Sequence, residues 1–442
     1  MTTSRRQFLK AAAGAAAAAP FIVPSRVLAQ GTAPSGKLNM GFIGLGIQGR
    51  GLLGGFLGHQ TIRVVAICDV DTNRRNDGKK RVDDRYGNTD CATYNDFREL
   101  IARKDIDAVC IATPDHQHAF PTLAALRSGK DVYCEKPLTH NIHEAVEVMA
   151  AVDANKRVLQ TGSMQRSSRE FRIACELVRN GIIGKIDHVE CQFGDPAVPC
   201  NLPEESMEPG LDWDLWLGGA PMRPYNSVLS PRGINNFFPN WRSYREFGGG
   251  MVTDWGAHHL DIAQWGLGMD ESGPVEVVPP ADEKAKRGCK LVYANGIYAQ
   301  HTDGFGVHFF GDKGEVKVNR GRFALVLDGK TIAQFAADEQ KSGSTSLNAE
   351  LNKAEEAYLK DAKVKLYNSR NHIADFLECV VSRKKPITSE VVGGHTAICC
   401  HLMNQSYYNH ARFTWDPAKY QFTGGTGDAK WLTRDYRAPW KV

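Results

Sequence analysis

The sequence predicts an α/β fold that opens with a parallel sheet flanked by helices, and three observations predict it. Apolar strand-like runs alternate with helical patterns from Leu38 to Leu138, the mark of βαβ units. Gly44, Gly46 and Gly49 form a G-x-G-x-x-G motif between the first strand and the first helix. Asp69 follows Gly49 by 20 residues, at the end of the next strand. Together they make residues 38–160 a Rossmann dinucleotide-binding domain.

In order, LNMGFIGLG is an apolar strand ending in glycines, IQGRGLLGGFL opens a helix, and IRVVAICDV is a β-branched strand. YNDFRELIARKDI is amphipathic, DAVCIATP is a strand, PTLAALRSG a helix and KDVYCEKPL a further strand. Gly44 permits the tight turn, Gly46 has no Cβ to block a pyrophosphate, and Gly49 lets the helix sit close on the sheet. The helix N-terminus supplies amide donors to phosphate. Asp69 can accept from both ribose hydroxyls and would repel a 2′-phosphate, so NAD is expected over NADP; Arg74 and Arg75 could soften that preference.

Thr113 and Pro114 follow the DAVCI strand, where they would flank the nicotinamide half of a cofactor. His116 and His118 are loop residues, either surface groups or, for His118, a structural hydrogen-bonder. Glu135 and Lys136 end the next strand beside Pro137 and are candidate cofactor-binding residues with Thr113 and Pro114. Lys136 would point into the same crevice and polarise a substrate oxygen, with Glu135 pairing nearby or steadying the turn.

Residues 161–442 form a second α/β part. TGSMQRSSREFRIACELVRNGIIGKIDHVECQF runs through a helix into a strand, with Gln165 and Arg166 in the preceding loop, near the expected cleft, as candidate substrate-binding residues. Trp213, Trp216, Trp241, Arg242 and Tyr244 lie around loops; aromatic faces and polar forks suit sugar rings, and they equally suit loop packing. VEVVPPA, CKLVYANGIYAQHT, VHFFGDKGEVKVNRG and FALVLDG are strand-like, and GDKGEV signals a hairpin. Residues 338–366 read as a surface excursion. NSRNHIADFLECVVSRKKP and GHTAICCHLMNQSYYNHAR are helices, and the tail from RFTWDPAKYQF to YRAPWKV is aromatic enough to pack.

In GGGMVTDWGAHHLDIAQWGLG a glycine loop enters a helix. Spacings of i+4 and i+3 put Asp254, His258 and Asp261 on one face, with His259 rotated by ~100°. Such a face would orient the imidazole and raise its basicity, as removal of a hydroxyl proton requires. A metal needs three or four converging ligands, and no second His or Cys cluster is placed to complete them; proton transfer is the preferred reading and no metal is expected. Asp254 can also cap the helix while Trp255, Leu260, Ile262 and Trp265 pack.

The N-terminus, SRRQFLKAAAGAAAAAPFIVPSRVLAQ, reads as a twin-arginine export signal over residues 1–29, followed by a flexible leader, 30–37. Its apolar run is too short to span a bilayer. Cleavage removes Arg5, Arg6, Lys10 and Arg26 and no acid, taking the formal charge from +4 to zero. The remaining chain offers no electrostatic reason to bind nucleic acid or an anionic membrane. The eleven cysteines form no metal framework; Cys68, Cys110 and Cys134 end apolar strands and read as buried, and Cys399 and Cys400 lie in a helix.

GFIGLGIQGRG, AICDVD, IATPDHQHAFPTLAALRSGKDVYCEKPL and GGGMVTDWGAHHLDIAQW resemble the Gfo/Idh/MocA oxidoreductases. TPDHQHA, the export signal and YRAPW resemble its exported bacterial branch. The resemblance runs from about Leu38 to the C-terminus and thins between Asp338 and Leu366. It implies that the second part, 161–442, is an α/β domain with a large open, mostly antiparallel sheet that covers the nicotinamide and often makes an oligomer contact. It implies that Lys136 binds substrate and handles the proton, with Asp254 and His258 as the family's D-x-x-x-H pair and Asp261 as a usual companion. The expected activity is hydride transfer, with tightly bound NAD, on a sugar, sugar derivative or cyclitol, in a homodimer or homotetramer. Glycoside cleavage through transient sugar oxidation needs the same residues and stays open. A non-catalytic nucleotide-binding protein is disfavoured because Lys136 and His258 are both present.

Overall fold

The computed structural model describes residues 36–339 and 345–442. The expected signal, 1–29, and leader residues 30–35 lie outside the described residues. The first sheet is built from β1 (Leu38–Ile43), α1 (Ile47–Leu57), β2 (Ile62–Cys68), α2 (Thr72–Tyr86), β3 (Ala92–Tyr94), α3 (Phe97–Ala102), β4 (Ala108–Ile111), α4 (Ala119–Arg127), β5 (Asp131–Cys134), α5 (Ile142–Asn155) and β6 (Leu159–Thr161). Its strands run parallel in the order β3-β2-β1-β4-β5-β6. The two faces belong to separate apolar clusters, one around Phe42, Phe56 and Tyr133, the other around Ile43, Ile111 and Leu159. That explains why β1, β2, β4 and β5 read as continuous apolar runs. α2 is almost wholly polar. Asp71 caps it by accepting from Asn73 N and Arg74 N, and Gly87 ends it at φ 68°.

The second part contributes α6 (Arg169–Arg179), β7 (Ile186–Gln192), α7 (Trp213–Leu217), α8 (Met251–Asp254), α9 (Gly256–Leu267), β8 (Glu276–Val278), β9 (Lys290–Val292), β10 (Tyr298–Thr302), β11 (Gly306–Gly311), β12 (Gly314–Asn319), β13 (Arg322–Leu327), β14 (Lys330–Ala336), α10 (Leu347–Tyr358), α11 (His372–Ser382), α12 (Glu390–Asn409), β15 (Phe413–Asp416) and β16 (Gln421–Thr423). The ten strands order as β14-β13-β12-β11-β7-β10-β9-β8-β15-β16. Every pairing is antiparallel except β7 with β10, as the expectation of a mostly antiparallel sheet requires. Burial alternates along β7, β10 and β13, so one face packs into the core shared with α6, α9, α10 and α12. GDKGEV makes the β11–β12 hairpin, with Gly311 opposite Gly314.

Two expectations are corrected. The stretch 338–366 is not a surface excursion throughout: Leu351 and Ala354 on α10 are buried in the core, because four-residue and three-residue spacing gives this helix a narrow apolar stripe. The division at 160 also fails in space. It cuts β6, and α11 returns to the first sheet, where Phe376, Leu377, Cys379 and Val380 join its core. All eleven cysteines are free; Cys68, Cys110 and Cys134 are buried, as are Cys399 and Cys400 within α12.

Candidate active site

A cleft of about 480 Å³ opens over the carboxyl ends of β1, β2, β4 and β5 and is closed by loops of the second part. The three glycines of the fingerprint have three separate reasons to be glycine. Gly44 lies at φ +87°, and a Cβ there would meet Ala112 O and Thr113 N at 2.7 Å. At Gly46 a Cβ would meet nothing within 4 Å, so it would project into open space beside the cleft, where a pyrophosphate needs the room. At Gly49 it would lie 2.0 Å from Gly44 O, so only glycine lets α1 sit against this turn. Gly46 caps α1 with no side-chain acceptor on the helix amides. This cradle fits a dinucleotide phosphate.

Asp69 lines the cleft, and its carboxylate accepts from Leu45 N at 2.6 Å and Asp71 N at 2.9 Å. Burial raises its pKa, against Arg74 and the two amides. Arg74 donates to Ser230 Oγ and Pro231 O, and Arg75 to Asp69 O and Asn95 Oδ1. Both guanidiniums are committed to the protein, which leaves the Asp69 charge to oppose a 2′-phosphate.

Thr113 and Pro114 line the cleft, and Thr113 Oγ1 is buried with no partner among the described residues. His118 is buried, and its ring nitrogens lie 2.7 Å from Pro137 O and 2.9 Å from Thr113 O, tying the two turns together. His116 is buried as well, 2.9 Å from Trp216 O. Both are structural. Glu135 accepts from Gln48 Nε2 at 2.8 Å and from Lys136 N at 3.2 Å, beneath Gly162, where a Cβ would collide with its carboxylate.

Lys136 Nζ donates to Asp254 O at 2.9 Å and forms an ion pair with the Asp254 carboxylate. Arg242 Nε lies 3.6 Å from the same carboxylate, and its guanidinium covers Trp241 at 4.2 Å. Burial works to raise the Asp254 pKa, and Lys136 and Arg242 outweigh it, holding the carboxyl below its usual range. The helix ladder breaks at Trp255, between α8 and α9: His258 N donates to Trp255 O at 3.0 Å, and Asp254 O is left for the lysine.

The three-residue face expected of Asp254, His258 and Asp261 does not form. Asp261 is fully buried and held by Arg166, with Nε 3.0 Å from both carboxylate oxygens. Arg166 also donates to Asp270 and covers Trp265 at 5.0 Å; at 2% exposure it cannot meet a substrate, and its expected binding role is withdrawn. His258 lines the cleft, but Nε2 faces Arg320 NH2 at 3.2 Å and Nδ1 is buried with no partner among the described residues. Burial, then Lys136 and Arg320, push its pKa well below the ordinary value. The expected gain in basicity is therefore reversed, and His258 rests as a neutral imidazole. Gln165 is buried behind it. With its oxygen toward Arg320, it accepts from Nε at 3.3 Å and donates to His258 O at 3.2 Å, so it supports the site rather than lining it. Trp216 and Trp241 reach the cleft, whereas Trp213 stacks on Trp216 at 4.5 Å and Tyr244 packs in the same cluster.

Two cleft residues were not picked out from sequence. Asp115 is 4% exposed, and burial, opposed by Arg242 and Lys136, raises it to about 8. Arg320, in the turn between β12 and β13, covers Trp255 at 4.7 Å. TPDH and NRG carried only weak signals for them. Among the described residues no group of three or more His, Cys, Asp or Glu side chains could hold a metal.

Residues 38–163 match the NAD-binding Rossmann fold, and residues 198–442 the C-terminal alpha/beta domain, of the Gfo/Idh/MocA oxidoreductases. An inositol 2-dehydrogenase of Rhodococcus erythropolis is 38% identical over 150 residues, 31% of this chain and 43% of that protein. The chain thus spans less than half of the curated relatives it matches. An aldose-aldose oxidoreductase of Caulobacter crescentus, solved with glycerol, shares the fold at TM-score 0.55 and 19% identity, over 86% of this chain and 99% of that one. A levoglucosan dehydrogenase solved with NADH does so at TM-score 0.55 and 18% identity, over 85% and 98%. Matched in both of its parts and in the right order, the chain belongs to the Gfo/Idh/MocA oxidoreductase family, and its first domain is the NAD-binding Rossmann fold of that family.

Proposed function

We propose that the protein is an NAD-dependent oxidoreductase acting on a CH–OH group of a sugar, sugar derivative or cyclitol, exported by its twin-arginine leader and working as a homo-oligomer. The observation that carries this is the meeting of the Lys136–Asp254 ion pair with a neutral His258 in the cleft that also holds Thr113 and Pro114. Bound NAD supplies the acceptor or donor of the hydride. The names of the similar proteins, dehydrogenases of inositol and levoglucosan and an aldose-aldose oxidoreductase, support this class of substrate.

The chain's own residues divide the remaining work. The Lys136 ammonium stabilises developing negative charge on the carbinol oxygen, and Asp254 keeps that ammonium in place through both its carboxylate and its carbonyl. His258 accepts the hydroxyl proton at Nε2 once substrate displaces Arg320 from it. Trp216, Trp241 and Arg242 supply apolar wall and donors for a polyol. The glycoside-cleaving alternative uses the same residues and gains nothing from the relatives' names.

The test is to release any bound nucleotide, add NAD, and screen sugars and cyclitols for absorbance of reduced nicotinamide. At least one polyol is expected to reduce NAD. Cleavage of aryl glycosides with no net reduction would replace this reading with the alternative.

A further inference from the structure

The nicotinamide end of the cleft is marked by turns after β4 and β5, and the adenosine end lies on the other side of β1, toward β2 and β3. At that far end the lining residues Asn95, Asp96 and Phe97 follow β3, and they are joined by Trp440, more than 340 positions on in the chain. Trp440 is half-buried. Its ring lies 5.0 Å from Phe120 and 6.1 Å from Phe97. Arg98, held by Asp96, covers it at 5.4 Å.

The segment leading there is fastened to the first domain and to α7 of the second part. Arg434 donates to His116 O at 2.7 Å, and Tyr436 OH to the Glu144 carboxylate at 3.0 Å. Arg437 donates to Gly218 O at 3.1 Å and to Asp214 at 2.6 Å, and Val442 packs on the cluster of Ile43 and Ile111. An aromatic wall at one end of a cradle, hung on so many anchors, serves whatever occupies that end.

We infer that residues 434–442 are a strap across the Rossmann domain and that Trp440 is a contact for the adenosine half of NAD, setting how tightly the cofactor is held. This rests on the NAD reading above. A retained nucleotide would suit an enzyme acting where free NAD is scarce.

The test measures binding of AMP, NMN and NAD to the nucleotide-free protein by calorimetry. W440A is expected to weaken AMP and NAD about tenfold, the effect of roughly 1.4 kcal/mol of lost contact, and to leave NMN within twofold. W440F should restore most of the loss. Arg437→Ala, which loosens the strap and leaves Trp440 in the chain, should show the same AMP-selective weakening, and it serves if W440A does not fold. AMP binding unchanged in these variants, or AMP and NMN weakened alike, overturns the inference. Failure of the wild-type protein to bind NAD would instead overturn the reading beneath it.

Discussion

Lys136→Met removes the ammonium and keeps most of the side chain's bulk. Asp254 loses one of two cations and keeps Arg242, whose Nε is 3.6 Å away. At an effective dielectric of about 20 that remaining contact is worth about 4–5 kcal/mol before desolvation, enough to keep the carboxylate ionised. The stability loss should therefore fall short of the ~3–5 kcal/mol for a buried charge stripped of all partners, at about 1–2 kcal/mol. Turnover should suffer far more. Loss of a preorganised donor at the reacting oxygen costs roughly 10²–10³ in kcat. NAD affinity should stay within about threefold, because the phosphate cradle around Gly44, Gly46 and Gly49 is built without the lysine. Stopped-time assays on the sugar found by screening, with calorimetric NAD binding and thermal melting alongside, separate the three effects. A kcat within fivefold of wild type, or NAD binding lost in parallel with kcat, would refute the reasoning.

Other perturbations address the remaining assignments. Asp69→Ala should raise the Kd for NAD about tenfold and leave that for NADP nearly unchanged; equal weakening of the two, measured by titration, would place the carboxylate outside ribose recognition. Arg166→Gln should cost about 3–5 kcal/mol of stability by stranding the fully buried Asp261, with KM unchanged in the folded protein. A raised KM with an unchanged melting temperature would return Arg166 to the substrate site. The pH profile of kcat/KM checks His258. Its folded pKa is depressed, so the neutral imidazole persists as pH falls through 6.5, and the acid limb should lie well below that value. An acid limb centred at 6.5 would contradict the buried, cation-flanked setting. Asp115, raised to about 8 by burial, ionises as pH rises through that value, and any basic-side change there should vanish in Asp115→Asn.

Strands β1, β2, β4 and β5 were legible because they are largely buried on both faces and so carry continuous apolar runs between glycine and proline turns, whereas the short edge strand β3, with Thr93 exposed, carries none. α2 was missed for the opposite reason. Its stability comes from the Asp71 cap, the Gly87 stop and two small inward residues, Gly78 and Val82, and an apolar period has little to register there. The sequence of α11 shows an apolar face, and nothing in it says that the covering partner is Phe56 of the other domain, 6.2 Å from Phe376. Amphipathicity gives the presence of a buried face and leaves its address to the tertiary fold.

The same limit divides the site. The fingerprint glycines and Asp69 act within one βαβ unit, so spacing alone placed them. Arg166, Arg242 and Arg320 look alike in sequence, yet one is sealed in the core, one pairs with Asp254 and one faces His258. The helical spacing that grouped Asp254, His258 and Asp261 is sound for an unbroken helix, and this helix is broken at Trp255. An intact ladder would commit Asp254 O to the His258 amide, which leaves Lys136, 118 residues earlier, with the carboxylate alone. Breaking the ladder gives the ammonium two acceptors on one residue, and His258 N still finds Trp255 O at 3.0 Å. The local rule thus fails at the point where a distant lysine competes for a helix carbonyl. A rule that fails at this one carbonyl, and holds elsewhere in the same helix, marks a tertiary contact overriding a local preference.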